Sequence, residues 1–226
     1  LRLIFRLKPM ILNLYKPIGW TSFDVVKKVR GITRVKKVGH GGTLDPFAEG
    51  VLLIGTGKDT KSLTEISAQS KSYTATLTLG SSTDSLDLTG NILEKNLVPQ
   101  LTDNDIAEVL TEFLADQEQI PPMYSAKKID GVRLYKLARK NISVERKPVP
   151  IHISQIQLEK FVSPNITFNV HCSKGTYIRV LGADIAEKLG TSGHLTYLQR
   201  RSVGNYLVED SLSLKEFEKS WTSAAA

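Results

Sequence analysis

From Tyr73 to Leu79 the chain alternates at every step, with Tyr73, Ala75, Leu77 and Leu79 set against Thr74, Thr76 and Thr78. Successive strand side chains point to opposite faces, so this run predicts a half-exposed strand, apolar on one face and threonine on the other, closed by Gly80. Its apolar face needs covering elements, and the rest of the chain offers them. Ile11 to Tyr15 reads as a strand ended by Lys16-Pro17 and Gly19, and Val51 to Ile54 as a short buried strand. Pro148 to Phe161 and Ile166 to Cys172 read as two long strands with Asn165 near their turn, and Leu195 to Val203 as another. Thr21 with Asp24, and Thr102 with Asp105, have capping-box spacing ahead of helical apolar patterns. The first predicted helix carries Phe23, Val25, Val26 and Val29 on one broad face and stops at Gly31. The second carries Ile106, Val109, Leu110, Phe113 and Leu114. Lys61 to Ala68, Val132 to Arg139, Tyr177 to Leu189 and the tail from Leu212 complete the helices, while 39–46 and 81–90 read as loops. Strands and helices intermix without strict β-α-β repetition, so the expectation is an α+β fold with a mixed sheet and flanking helices.

At 226 residues and 41% apolar, the chain can bury one large core. No apolar run approaches the roughly 20 residues that span a bilayer. Arg2, Arg6 and Lys8 interrupt the first nine residues, which are read as an upstream extension before Met10 and not as a signal peptide. Residues 10–210 are expected to form the main domain, 211–226 a short tail, and Ala224 to Ala226 a frayed end. Cys172 is the single cysteine, which excludes an internal disulfide and any multi-cysteine zinc site. Its alternating neighbours Phe168 and Val170 make it a core thiol, in keeping with a reduced, cytosolic setting.

The net charge of +7 is unevenly laid out. Residues 16–61 hold nine Lys/Arg against four Asp/Glu, 121–150 eight against two, and 171–206 five against two. Residues 62–120 reverse the sign, with two against ten. Three basic blocks kept apart from one acidic block favour a face that binds a polyanion, nucleic acid foremost. Ordinary solvated charge is the plainer alternative.

The densest chemical signal is Gly39-His40-Gly41-Gly42-Thr43-Leu44-Asp45-Pro46. Glycines let a backbone approach a ligand closely, and Pro46 biases Asp45 to an extended conformation. Two readings stand at this point: an acid held for chemistry, or a turn-forming Asx-Pro with a satisfied carboxylate.

This run resembles the catalytic signature of the TruB family, the bacterial tRNA pseudouridine-55 synthases. Further blocks resemble the same family in the same order. They are Lys16-Pro17-Ile18-Gly19-Trp20-Thr21-Ser22, then Pro122-Met123-Tyr124-Ser125-Ala126-Lys127-Lys128 running on to Gly131 and Tyr135 to Arg139. Cys172-Ser173-Lys174-Gly175-Thr176-Tyr177-Ile178-Arg179 follows, and then Gly193-His194-Leu195 with Leu198, Arg200 and Arg201. Gly41 stands where many members carry Thr.

The resemblance implies a pseudouridine synthase core that isomerises the uridine at position 55 in the T loop of tRNA, as a cytoplasmic enzyme. It implies that Asp45 is the catalytic carboxylate and Arg179 its ion-pair partner. It also implies that Tyr73 stacks on the target base, that Tyr177 and Leu198 line the uridine pocket, and that His40 supports the flipped-out RNA loop. Making pseudouridine means breaking N1–C1′, turning the base and joining C5 to C1′. A carboxylate suits this by attacking C1′ or by removing a C2′ proton. Taken alone, Arg179 could equally be a phosphate contact or surface charge, Tyr73 a core aromatic and His40 a solvent-facing loop residue.

Relatives often continue into an RNA-binding PUA-type domain, and the stretch after the last block is too short to form one. The basic blocks are therefore expected to carry most of the tRNA affinity, with strong sensitivity to salt. No metal, cofactor, membrane or guide RNA is expected, and a monomer is. Two alternatives are retained: a guide-RNA-dependent, dyskerin-like synthase, and an RNA-binding or chaperone module without turnover.

Overall fold

The computed structural model describes residues 10–223, so the expectations for residues 1–9 and for Ala224 to Ala226 lie outside the described residues. In chain order the elements are β1 (Ile11–Lys16), α1 (Ser22–Thr33), β2 (Val38–His40), β3 (Glu49–Thr56), a 3-10 turn (Gly57–Thr60), α2 (Leu63–Ile66) and β4 (Lys71–Leu79). There follow β5 (Ser81–Thr83), β6 (Ile92–Lys95), α3 (Asp103–Thr111), β7 (Ala115–Gln119), β8 (Lys128–Ile129), β9 (Val132–Arg133) and α4 (Leu134–Ala138). The last are β10 (Val149–Val162), β11 (Asn165–Cys172), α5 (Ile178–Lys188), β12 (Gly193–Val203), β13 (Tyr206–Leu207) and α6 (Leu214–Ser223). The expected α+β class with a mixed sheet is what forms. Two compact units divide the chain, Leu1–Tyr73 with Gln199–Ala226, and Thr74–Leu198.

In the first unit β3 runs antiparallel to β1, with Lys16 opposite Gly50, and antiparallel to β2. It is parallel to the end of β12, where Arg200 faces Gly50. Both faces of β3 are covered, which is why it reads as a continuous apolar run. Leu52 and Ile54 pack with Leu14, Val25, Val26, Val29, Val38 and Phe217, and Val51 and Leu53 with Leu63 and Val203. The capping box of α1 is complete, Thr21 Oγ1 accepting from the Asp24 amide at 3.1 Å and Asp24 Oδ2 from the Thr21 amide at 3.0 Å. Two expectations for this helix are corrected. It runs past Gly31 to Thr33 and is ended by Arg34 in the left-handed region, because a glycine on the exposed side costs only about 1 kcal/mol. Phe23 is 51% exposed and not part of the buried face.

In the second unit the strand order is β12-β4-β11-β10-β7. The threonines of β4 meet polar partners on β11, Thr74 with Asn169, Thr76 with Thr167 and Thr78 with Asn165, while Ala75, Leu77 and Leu79 are buried. α3 has its own capping box of Thr102 and Asp105 and packs on β10. Cys172 is buried as expected. The expected loop at 81–90 contains β5, which pairs with β6, and β7 was not foreseen at all. β7 carries Ala-Asp-Gln-Glu-Gln, mostly exposed, and holds its place at the sheet edge by backbone pairing with β10, which needs no apolar alternation.

Gly50 has φ +105°, and a Cβ there would collide with the Arg200 carbonyl. Gly50→Ala should therefore lower the unfolding free energy by about 3 kcal/mol or more. A Cβ on Gly31 meets nothing within 4 Å, so Gly31→Ala should raise it by about 0.5–1 kcal/mol. Urea unfolding of both variants checks the contrast.

Candidate active site

Asp45 sits in the loop between β2 and β3, and composition alone would leave that loop loose. Three side chains fix its backbone. The Ser22 hydroxyl, at the first position of α1, accepts from the Leu44 amide at 2.9 Å and donates to the Leu44 carbonyl at 3.1 Å, clamping the residue before Asp45. Arg200 is 2% exposed, and its guanidinium donates to the carbonyls of Val51 at 2.7 Å, Thr43 at 3.2 Å and Gly42 at 3.4 Å. Lys16, fully buried at the end of β1, donates through Nζ to the carbonyls of Pro17 at 2.9 Å and Trp20 at 2.7 Å. The turn it pins is joined to the loop, since the Gly19 amide donates to the Pro46 carbonyl at 2.7 Å. Beyond Asp45 the Ala48 amide donates to the Asp45 carbonyl at 3.1 Å, so backbone closes that turn. His40 ends β2 opposite Ile54, and Tyr73 is buried in β4.

The charges around Asp45 act on one another. Burial pushes the Lys16 ammonium down from 10.5 to about 8, opposed first by the Asp45 carboxylate and reinforced by the Arg200 cation. The Asp45 carboxylate thus lies within electrostatic reach of the buried Lys16 ammonium, in a loop whose backbone is fixed by Ser22 and Arg200.

The other expected site residues belong to the second unit. Tyr177 is the N-cap of α5, and the buried Gln119 side chain clamps its backbone, accepting from its amide at 2.7 Å and donating to its carbonyl at 3.1 Å. Arg179, 3% exposed, donates to the carbonyls of Ser85 and, at 2.6 Å, of Tyr124. Its Nη1 lies 3.5 Å from Asp87 Oδ2. Asp87 is itself fixed by the Ser85 hydroxyl at 2.8 Å and the Thr89 amide at 2.9 Å. Leu198 is buried in β12.

Sequence reasoning placed Lys16, Arg179 and Arg200 in basic blocks meant for a polyanion, yet each is buried and bonded within the protein. Of the remaining cations in 171–206, Lys188 pairs with Glu112 at 2.7 Å and Arg201 pairs with Glu209. In 121–150, by contrast, Lys128, Arg133, Lys136, Arg139, Lys140 and Lys147 are exposed. The anchoring roles of Ser22, Gln119 and Asp87 carry no signal of their own in the sequence, although Ser22 closes the Lys16 to Ser22 block. Among the described residues there is no group of three or more His, Cys, Asp or Glu arranged to hold a metal, and no helix is long and apolar enough to cross a membrane.

Residues 30–178 match the sequence family described as TruB family pseudouridylate synthase (N terminal domain). The chain is 44% identical over 221 residues to tRNA pseudouridine synthase B of Lactococcus lactis subsp. lactis (strain IL1403), covering 92% of this chain and 66% of that protein. It is also 44% identical over 210 residues to tRNA pseudouridine synthase B of Caldanaerobacter subterraneus subsp. tengcongensis, covering 92% of this chain and 74% of that protein. In structure it is similar to a chain of a Cbf5-Nop10-Gar1 complex, with TM-score 0.74, 26% identity, and coverage of 96% of this chain and 56% of that one. The chain thus spans between about half and three quarters of the length of these relatives.

The Lys16 proton gives this arrangement a pH signature. Between about pH 8 and pH 10.5 the unfolded chain keeps that proton and the folded chain does not, so this group's contribution to stability rises with pH. Below about pH 8 both forms hold it, and the cost of burying the charge is carried in full. Urea unfolding at a series of pH values should find wild type gaining on Lys16→Met across that window, by on the order of 3 kcal/mol at most. A difference that stays flat with pH would mean that the buried ammonium never discharges.

Proposed function

The chain belongs to the TruB family of pseudouridylate synthases, and on that basis we propose that it isomerises uridine 55, in the T loop of tRNA, to pseudouridine with Asp45 as the essential carboxylate. The observation that carries this reading is the loop itself. Asp45 is presented from a backbone fixed on one side by Ser22 and Arg200 and on the other by the turn that Lys16 pins. A carboxylate needed only to make a turn would not require two buried cations to hold its surroundings.

The reaction conserves every atom of the nucleotide except one exchangeable hydrogen. N1–C1′ breaks, the freed base turns, and C5 bonds to C1′. The C5 proton then leaves to solvent and N1 ends protonated. Asp45 serves by adding to C1′, or by taking the C2′ proton to give a glycal, and is ionised in either role. Tyr73 is proposed to stack on the base, leaving it free to turn about its own plane. Tyr177 and Leu198 are proposed to line the uridine pocket, Arg179 to orient the reacting groups by charge, and His40 to hold the everted RNA loop. The exposed cations of 121–150 supply the sequence-independent attraction to RNA phosphates. The proposed protein is cytoplasmic and acts without a guide RNA.

The test is tritium release from C5-labelled uridine in an unmodified tRNA transcript, with the purified chain alone and EDTA present. Wild type should release label. Asp45→Asn should lose roughly 10²–10⁴-fold or more in rate while its affinity for RNA changes little. An Asp45→Asn variant keeping more than about a tenth of wild-type activity would remove Asp45 from the chemistry.

A further inference from the structure

The turn between β1 and α1 is fixed at three points yet presents apolar side chains to solvent. Lys16 Nζ holds the carbonyls of Pro17 and Trp20, and the Gly19 amide holds the Pro46 carbonyl. Gly19 takes φ +83°, the left-handed conformation that such a tight turn requires. On this rigid turn Ile18 is 55% exposed and Trp20 36%, and Phe23 just beyond is 51% exposed. The fixed backbone keeps these side chains at the surface, where about half of Ile18 and Phe23 and about a third of Trp20 stay uncovered.

The neighbouring charges narrow what could cover them. The solvent side of α1 continues from Phe23 through Lys27 and Arg30, all exposed and spaced four and three residues apart along one face, and the exposed Arg34 follows at the helix end. The Lys27 ammonium lies 5.1 Å from the Phe23 ring centroid. A cationic stripe leading from an exposed aromatic turn suits a polyanion whose flat rings also need a partner, which is the chemistry of unpaired RNA. Location gives the same answer. The turn is one hydrogen bond from Pro46, the residue after Asp45. RNA that brings a uridine to that carboxylate would carry neighbouring nucleotides close to the turn.

We propose that the Ile18–Trp20 turn, with the Trp20 indole as its working face, is a stacking platform for an unpaired base flanking the target uridine. This rests on the RNA-isomerase reading above and adds to it a substrate contact that acts in docking, separate from bond-breaking at Asp45.

The chain has two tryptophans, Trp20 and Trp221. Trp221 lies in α6 with its ring centroid 5.9 Å from that of Phe217. In a Trp221→Phe, Asp45→Asn background Trp20 is the sole indole emitter and the RNA is not turned over. Adding a T stem-loop RNA should quench Trp20 emission in step with occupancy measured by anisotropy of the labelled RNA. In the active enzyme Trp20→Leu, which keeps an apolar group and removes the flat ring, should raise KM by roughly 5- to 150-fold. Its single-turnover rate at saturating RNA should stay near wild type, and Trp20→Tyr should recover most of the lost affinity. Emission unchanged at saturating RNA, or a Trp20→Leu KM within about twofold of wild type, overturns the platform. The fluorescence arm keeps native Trp20 and so decides the matter even if Trp20→Leu folds poorly. Wild type that binds RNA but releases no tritium would defeat the isomerase reading. Turnover with both Trp20 results flat would defeat the platform alone.

Discussion

A guanidinium cannot be left in a protein interior without acceptors, and Arg200 finds its acceptors in the carbonyls of Gly42, Thr43 and Val51. Those carbonyls belong to the Asp45 loop and to the strand that follows it, so folding the first unit and shaping the loop become one event. Any movement of Gly42 or Thr43 that broke these bonds would leave a buried charge unpaired, at a cost of several kcal/mol. The backbone of β12 can bring Arg200 to this position only because Gly50 has no side chain where the two strands run in parallel. A loop whose glycines would otherwise give it wide conformational freedom is held in one state by a cation from a distant part of the chain.

What could be read from the sequence depended on whether its cause was local. The alternation of β4, the two capping boxes of α1 and α3, and the long hairpin of β10 and β11 all follow from neighbours in the chain, and all were legible. β7 was not, because an edge strand held by backbone pairing has no side-chain period to betray it. The continuation of α1 through Gly31 was missed for a related reason, since the buried Thr33 beyond it outweighs a glycine's weak preference against helix.

The site divides along the same line. Asp45 stood out through its glycines and proline, yet local physics left a turn and a catalytic acid both open, and only a resemblance spread over five blocks favoured the acid. Lys16 and Arg200 fall in basic blocks that favour a polyanion-binding face, and most lysines and arginines do lie at the surface. Charge counting cannot distinguish a cation that meets RNA from one that holds backbone carbonyls, because burial is a property of the fold. Exposure separates them: seven of the nine cations of 16–61 and six of the eight of 121–150 face water, while Lys16, Arg179 and Arg200 are buried.

Within the first unit, the proposed docking surface and the proposed catalytic acid are joined through Lys16 and Pro46. The same Lys16 side chain that feels the Asp45 carboxylate also holds the carbonyl of Trp20. The turn bearing the indole is bonded in turn to Pro46. The acid and the exposed ring therefore share an anchor with no flexible segment between them. A base settling on that ring would be positioned relative to the carboxylate by the folded backbone, with no further entropy to lose at the moment of reaction. An apolar side chain at position 16 could not hold the carbonyls of Pro17 and Trp20, and so could not fix the turn whose Gly19 amide reaches the Asp45 loop.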